Sequence, residues 1–217
     1  MKEHRNITTG LGAVLFCLTA ALAAWSCSDD EDGHYPDVIT EFADVRSDKD
    51  GRLTDFTTDG GATFRIENEL TGYNPNRIYR AICGYVPQGN QATLYELQGV
   101  WVLRDSTAIV RHDPTNVLSV WSTTRYVNMQ LSPLTHGGQH YWGFAADSLR
   151  PGHAYLSLYH NQNGDDAAFS QTVYASLPFD SIRGLQPDDS VSLTIHTFEG
   201  TRTFSFKRPQ SQRIPEP

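Results

Sequence analysis

The chain has 217 residues and a formal charge of −8, which comes from 25 acidic and 17 basic side chains. An acidic chain without a basic run is a poor candidate for binding nucleic acid or for charge-driven binding to anionic lipid. We therefore expect no nucleic-acid partner, and this length suits a leader followed by one large domain or two small ones.

Residues 1–26 are predicted to be a secretory leader that is removed. Lys2 and Arg5 form a positive start, and the uncharged, mostly apolar run Leu11–Trp25 is shorter than the roughly 20 apolar residues of a membrane-spanning helix. The string LAAWSC, which ends at Cys27, resembles a relaxed lipobox of Bacteroidetes lipoproteins. The resemblance implies cleavage before Cys27 and acylation of its thiol and of its new amine.

Acyl chains at Cys27 would hold the protein to a bilayer, because each buried methylene contributes about 0.8 kcal/mol to membrane binding. The alternative is ordinary secretion, with Cys27 as a free thiol. Cys17 is removed with the leader. If Cys27 is acylated, Cys83 is the one remaining free cysteine, and an intramolecular disulfide is excluded. The leader has a formal charge of +1, and its removal therefore takes the chain from −8 to −9.

Residues 27–35 are predicted to be an acidic tether. The acidic run in this segment cannot pack, so we expect it to be solvated and extended; it comprises Ser28, Asp29, Asp30, Glu31 and Asp32. The run resembles the export signal that sends Bacteroidetes lipoproteins to the outer face of the outer membrane, and we favour this interpretation over a plain spacer. The expected location is the outer membrane, with the protein lipid-anchored and facing the cell exterior.

Residues 36–112 are predicted to form an OB-like β-barrel. Short runs of apolar and β-branched residues are separated by turn residues, among them Asp50–Gly51 and Asp59–Gly61. Asp-Gly pairs favour hairpins because both residues tolerate a positive φ. Five strands suit a small closed barrel of the OB type. The predicted strands are 38–45, 53–58, 62–66, 78–86 and 92–103, the last with a break or bulge at Gly99.

Residues 113–208 are predicted to form a C-terminal antiparallel β-sandwich, which makes the fold class all-β. Asp113–Pro114 marks the predicted boundary, since proline lacks the backbone donor of a strand and disfavours helix before it. Many short strands with turns between them are typical of a sandwich. The predicted strands are 117–120, 125–131, 141–146, 154–160, 169–177, 191–198 and 201–206. Residues 209–217 are predicted to be a flexible tail.

Several of these strand and turn motifs resemble the NigD-like lipoproteins of Bacteroidetes. They are the string YPDVITEFAD at residues 35–44, the turns at Asp50–Gly51 and Asp59–Gly61, and the string Arg125–Met129. The resemblance implies an OB-like barrel followed by a β-sandwich, in agreement with the strand pattern. It also implies a role in bacteriocin production or immunity, because the family takes its name from a gene beside a bacteriocin locus.

We expect no catalytic residue, metal site or cofactor. The turn Asp48–Gly51 resembles a calcium loop only in part, because such a loop needs acidic residues where Arg46 and Thr57 stand. His136 and His140 have the spacing of zinc ligands, but the glycines between them oppose the helix that a zinc-binding HExxH motif requires. The sequence therefore favours a hairpin turn at the first position and a polar loop at the second.

Other reactive side chains also have simple structural interpretations. Cys83 lies in an apolar strand and is expected in the core. The pairs Asp165–Asp166 and Asp188–Asp189 adjoin turn residues and are expected in solvated loops. No Gly-x-Ser-x-Gly motif occurs, although a Ser–His–Asp triad that assembles only in space stays open.

Four aromatic residues are candidates for ligand binding: Trp101, Trp121, Tyr126 and Trp142. Their rings could stack on a sugar or a peptide, although aromatic residues in strands belong more often to the core. The sequence favours a non-enzymatic envelope lipoprotein that binds a protein or peptide partner, as the NigD-like resemblance implies. The alternatives are a surface glycan-binding accessory lipoprotein and a hydrolase whose catalytic residues meet only in space.

Overall fold

A computed structural model describes residues 37–106 and 111–210. The predicted leader, the acylation site at Cys27 and the acidic run from Ser28 to Asp32 lie outside the described residues, as does most of the predicted tail. The described residues from Val38 onward belong to one compact unit. No helix within the described ranges is long and apolar enough to cross a membrane.

The first five strands form the predicted barrel; they are β1 (Ile39–Ser47), β2 (Leu53–Thr58), β3 (Thr63–Ile66), β4 (Ile78–Gln88) and β5 (Gln91–Gly99). They close in the order β1-β2-β3-β5-β4, with β3 parallel to β5 and the other neighbours antiparallel. The predicted turn Asp48–Gly51 joins β1 to β2, and the φ of Gly51 is 75°, a region that favours glycine. The OB-like barrel is thus confirmed.

The barrel encloses a core that is rich in aromatic side chains. The rings of Phe56, Phe64 and Tyr85 have centroids between 4.9 and 5.4 Å apart. Cys83 is fully buried beside them, and burial raises the pKa of its thiol to about 12. A thiol with so high a pKa is an inert core residue, as the sequence predicts.

The rest of the described chain forms the sandwich; its strands are β6 (Trp101–Val102), β7 (Asn116–Ser122), β8 (Tyr126–Ser132), β9 (Leu134–Thr135), β10 (Tyr141–Arg150), β11 (His153–Asn161), β12 (Phe169–Ser170), β13 (Val173–Pro178), β14 (Ser190–Thr197) and β15 (Gly200–Lys207). Two four-stranded sheets, β10-β11-β14-β15 and β6-β13-β8-β7, surround a second core, and β9 pairs with β12. Most pairs are antiparallel, but β11–β14 and β6–β13 are parallel. Each predicted strand of this part overlaps an observed one.

The predicted strand 92–103 contributes to two different sheets. β5 ends at Gly99, where the sequence predicts a break, and β6 then joins the sandwich beside β13. The Leu103 N–H continues this pairing by donating to the Ser176 carbonyl at 2.8 Å. Trp101 therefore belongs to a sandwich sheet, while the division of the chain into domains at residue 113 stays a prediction.

Candidate functional site

The four aromatic candidates do not form one site. Trp121 and Tyr126 lie where the barrel meets the sandwich, next to a buried arginine. Trp101 and Trp142 line a cavity on the sandwich. Trp101 is 45% exposed, whereas the other three residues are half-buried. The two places differ in chemistry.

The first place is a buried polar cluster, here called the Arg80 cluster. Arg80 is only 2% exposed, and its guanidinium donates to Asp44 at 3.3 Å and to Asp59 at 2.6 Å, both of the barrel. It also donates to Asn128 at 3.0 Å and to Ser176 at 3.1 Å, both of the sandwich. The cluster therefore joins the two parts. It comprises Asp44, Asp59, Arg80, Tyr126, Asn128 and Ser176.

Charge balance explains why this cluster can be buried. The exposed Arg125 places a second guanidinium 2.7 Å from Asp44, so two cations face two carboxylates. The Tyr126 hydroxyl also donates to Asp44, at 3.0 Å, and its ring lies 3.9 Å from the Arg80 guanidinium. Burial, and then the charge of Asp44, raise the pKa of Tyr126 to about 12. Tyr126 is therefore fully occupied by partners within the protein.

Trp121 lies at the edge of this cluster and is held by ring packing. Phe42 of the barrel packs edge-on against Trp121, with ring centroids 5.3 Å apart, and against Tyr174 at 5.9 Å. Such T-shaped pairs are favourable because the positive edge of one ring meets the negative face of the other. Trp121 thus packs at the join of the two parts, and the structure does not bring it to the other tryptophans.

The second place is an open cavity of about 230 Å³, here called the Trp101 cavity. Its walls are the two tryptophan rings, a loop after β9 and residues near β13. The lining residues are Trp101, Pro133, Thr135, Gly138, Gln139, His140, Trp142, Gln171 and Val173. Trp101 and Trp142 are two of the aromatic candidates predicted from the sequence, whereas His140 was expected only in a polar loop.

Asp165 fixes the loop that forms one wall of this cavity. Its Oδ2 accepts hydrogen bonds from the Thr135 hydroxyl at 2.5 Å, from the His136 and Gly138 N–H groups at 3.0 and 3.1 Å, and from His140 Nε2 at 3.1 Å. These donors, Thr135 first, lower the pKa of Asp165 to about 2. A Cβ at Gly138 would lie 2.6 Å from the Asp165 carboxyl carbon, so glycine is required for this close approach.

A chain of two histidines continues inward from Asp165. His140 Nδ1 lies 3.0 Å from His160 Nε2, and His160 Nδ1 lies 2.8 Å from the Asp113 carbonyl oxygen. A carbonyl only accepts, so His160 carries its proton on Nδ1. Burial lowers the pKa of His160 to about 4, so its Nε2 is an acceptor at neutral pH. His140 thus lies between the two groups, with Nδ1 within hydrogen-bond distance of His160 Nε2 and Nε2 within hydrogen-bond distance of the Asp165 carboxylate.

The same chain positions Trp142. Its indole stacks on the His160 ring, with centroids 3.9 Å apart and planes 8° from parallel. His160 is itself only 1% exposed. The half-buried Trp142 of the cavity wall thus rests on a buried histidine ring.

One expectation from the sequence is wrong here, and one residue of the site was missed. Asp165 was expected in a solvated loop, but its side chain is only 9% exposed because four donors surround it. His160 was not predicted as a site residue. It is the more buried of the two histidines that connect Asp165 to Asp113 by hydrogen bonds. His136 is exposed, and no group of three or more potential metal ligands occurs within the described residues.

A larger cavity, of about 360 Å³, lies elsewhere and contains none of the aromatic candidates. Beside it, His153 Nε2 lies 2.8 Å from Ser192 Oγ, an arrangement that resembles a base and a nucleophile. Ser192 is only 7% exposed and also contacts Ser205, and the His153 ring stacks on Tyr155. No described carboxylate reaches the other His153 nitrogen, so the pair lacks the third group of a triad.

The fold and the site define a class: an all-β protein that joins an OB-type barrel to a β-sandwich with an aromatic cavity. The model of the NigD-like C-terminal beta sandwich domain matches residues 100–208, about half of the chain. The chain therefore belongs to the NigD-like family.

Several solved structures share this fold. A NigD-like immunity protein from Bacteroides caccae is 25% identical, with a TM-score of 0.63 over 80% of this chain and 99% of that one. A Parabacteroides distasonis protein described provisionally as toxin-related is 14% identical, with a TM-score of 0.69 over 81% and 95%. A Bacteroides fragilis protein described provisionally as a lipoprotein is 12% identical, with a TM-score of 0.61 over 82% and 100%. No curated protein matches the chain.

Proposed function

We propose that this protein is a non-enzymatic cell-envelope lipoprotein of the NigD-like type that binds a protein or peptide partner in bacteriocin immunity or production. The observation that carries the proposal is the likeness, over 80% of the chain, to the Bacteroides caccae NigD-like immunity protein. The family membership supports it independently.

The Arg80 cluster also supports a binding role. It links barrel and sandwich through buried, charge-assisted hydrogen bonds at Asp44, Asp59 and Asn128. Buried polar groups that are paired in this way hold one geometry, since any other leaves charges unpaired. A rigid surface loses little conformational entropy when a partner binds, so more of the contact energy appears as affinity.

Attachment to the membrane is part of the proposal. Acyl chains at Cys27 would anchor the protein, and the acidic run from Ser28 to Asp32 would direct it to the outer face of the outer membrane. Incorporation of labelled palmitate into the wild type but not into Cys27→Ser tests the anchor. Protease treatment of intact cells tests the orientation, and protection of the protein until the cells are lysed would contradict it.

The immunity role is tested in the native bacterium. A deletion strain and strains complemented with the wild type or with Cys27→Ser would be challenged with the bacteriocin of a producing strain. We expect the deletion to raise sensitivity or to reduce bacteriocin release, and the wild-type gene to restore both. Unchanged sensitivity and unchanged release in the deletion strain would overturn the proposal.

A further inference from the structure

We infer that the Trp101 cavity binds an uncharged pyranose ring, as presented by a neutral glycan. This site goes beyond the proposed partner-binding function and does not depend on it. The inference follows from the size of the cavity, its aromatic walls, its unpaired amides and the absence of a net charge in its lining.

The volume suits a single ring. The cavity holds about 230 Å³, and sites for drug-sized ligands usually hold about 300–1,000 Å³. Trp101 contributes an indole and is 45% exposed as a residue, which is unusual for so large an apolar side chain. The C–H groups on one face of a pyranose carry partial positive charge and pack well against the negative face of an indole.

Two amides provide hydrogen bonds for the hydroxyl groups of a sugar. Gln139 and Gln171 line the cavity and are exposed, and neither side chain has a hydrogen-bond partner within the described part of the chain. A primary amide both donates and accepts, as a sugar hydroxyl does. By contrast, Thr135 and His140 already use their polar atoms on Asp165 and His160.

The charges of the lining favour a neutral ligand. The lining includes no Asp, Glu, Lys or Arg, and the neighbouring Asp165 carboxylate already accepts four hydrogen bonds from the protein. A charged ligand would lose hydration here without gaining a counter-ion. An anionic sugar such as glucuronate should therefore bind more weakly than its neutral counterpart.

The cavity is preformed. Four hydrogen bonds to Asp165 hold the loop that carries Gly138 and Gln139, and His160 holds the ring of Trp142. Binding then orders only the exposed side chains, which limits its entropic cost. A peptide would need contacts well beyond this one-ring cavity, so the observations favour the sugar.

The inference is tested with the mature protein and defined probes. Tryptophan fluorescence and calorimetry would follow titration with methyl glucoside, methyl galactoside, methyl mannoside and N-acetylglucosamine, together with methyl glucuronoside and a proline-rich decapeptide. We expect saturable, millimolar binding of at least one neutral sugar, tighter binding of the matching oligosaccharide, and about tenfold weaker binding of the glucuronoside.

Two substitutions connect binding to the cavity. Trp101→Ala removes an exposed ring and should weaken sugar binding about tenfold or more, and Gln171→Ala should weaken it several-fold. Tyr95→Ala, which removes a 61% exposed ring of the barrel, is the matched control and should bind as the wild type does. Thermal unfolding of each variant checks that it is folded.

Three results would overturn the inference: no neutral sugar or oligosaccharide binds, binding survives Trp101→Ala unchanged, or only the peptide binds. None of them bears on the bacteriocin challenge, in which immunity is read from cell sensitivity. Conversely, the protein could bind a sugar while its deletion leaves sensitivity and bacteriocin release unchanged. That result would support the sugar site and overturn the immunity role.

Discussion

The Arg80 cluster and the Trp101 cavity contain similar side chains and use them differently. Each places aromatic rings beside polar groups that a carboxylate holds, Asp44 in the cluster and Asp165 behind the cavity wall. In the cluster the cation is 2% exposed and the ring of Tyr126 covers it, whereas Trp101 at the cavity is 45% exposed. In the cluster the buried polar groups bond to one another, except for Asp59 Oδ1, and so join two parts of the protein. At the cavity the bonded polar groups hold a wall and leave the amides of Gln139 and Gln171 free to form a site.

The difference can be traced to which partners each aromatic ring has. Tyr126 contacts Asp44 and Trp121 contacts Phe42, both on the barrel. These two rings are therefore occupied by contacts between barrel and sandwich and are not free for a ligand. Trp101 lies on a short edge strand that has one neighbouring strand, β13. An aromatic candidate is therefore better judged by its partners than by its residue type.

The largest effect should come from removing the cation of the cluster. Arg80→Ala leaves Asp44 and Asp59 buried without their shared partner, which should reduce the free energy of unfolding by about 3–5 kcal/mol. Arg65→Ala, an exposed arginine on a barrel strand, is the control and should change it by less than about 0.5 kcal/mol. Urea unfolding measures both, and equal losses would show that the cluster does not join the two parts.

The histidine chain should make stability depend on pH. The pKa of His160 is about 4 in the folded protein, below its ordinary 6.5, so the unfolded chain binds a proton that the folded one does not. The free energy of unfolding should therefore fall as pH falls from 6.5 to 4, by up to about 3 kcal/mol. The lowered pKa of Asp165 extends the loss from about pH 4 towards about pH 2.

A variant isolates the contribution of this histidine. His160→Phe retains a ring beneath Trp142 but cannot titrate, so stability between pH 4 and pH 6.5 should become flatter, whatever its value at pH 7. His136→Ala, at an exposed position of the neighbouring loop, should retain the wild-type slope. If the slope of His160→Phe also matches that of the wild type, the dependence arises elsewhere in the chain.

A smaller loss of stability is expected when the Tyr126 hydroxyl, which donates to Asp44, is removed. Tyr126→Phe retains the ring over Arg80 but loses a hydrogen bond to a carboxylate, which should cost about 1–2 kcal/mol in urea unfolding. Tyr95→Phe removes an exposed hydroxyl and should be close to neutral. If Tyr126→Phe leaves the free energy of unfolding unchanged, Arg80 and Arg125 alone satisfy the Asp44 carboxylate.

The most local effect should follow from Asp165→Asn. The amide retains the shape of the carboxylate but replaces one acceptor oxygen by a donor and removes the charge that His140 contacts. Amide hydrogen exchange at His136 and Gly138 should become at least about tenfold faster, while exchange in the barrel strands stays unchanged. Uniformly faster exchange would show that Asp165 supports the whole sandwich rather than the cavity wall.

Local signals predicted the strands well. Leu53–Thr58 lies between two Asp-Gly turns, and it forms the predicted strand; the break at Gly99 was also predicted. Such patterns act within a few residues, because side chains alternate across a strand and turns need particular residues. The site was harder to predict: Asp165 has the local pattern of a loop residue, and only contacts with Thr135 and His140 make it central.

The amino-acid sequence by itself determined the all-β class, the order of its strands and turns, and the NigD-like family to which the chain belongs. Only the tertiary structure decided which aromatic rings are covered and which meet solvent. The reason is distance along the chain: Arg80 bonds Asn128 across 48 positions and His140 bonds Asp165 across 25. A local pattern contains no information about such partners, so burial and charge pairing appear only when the sheets have assembled.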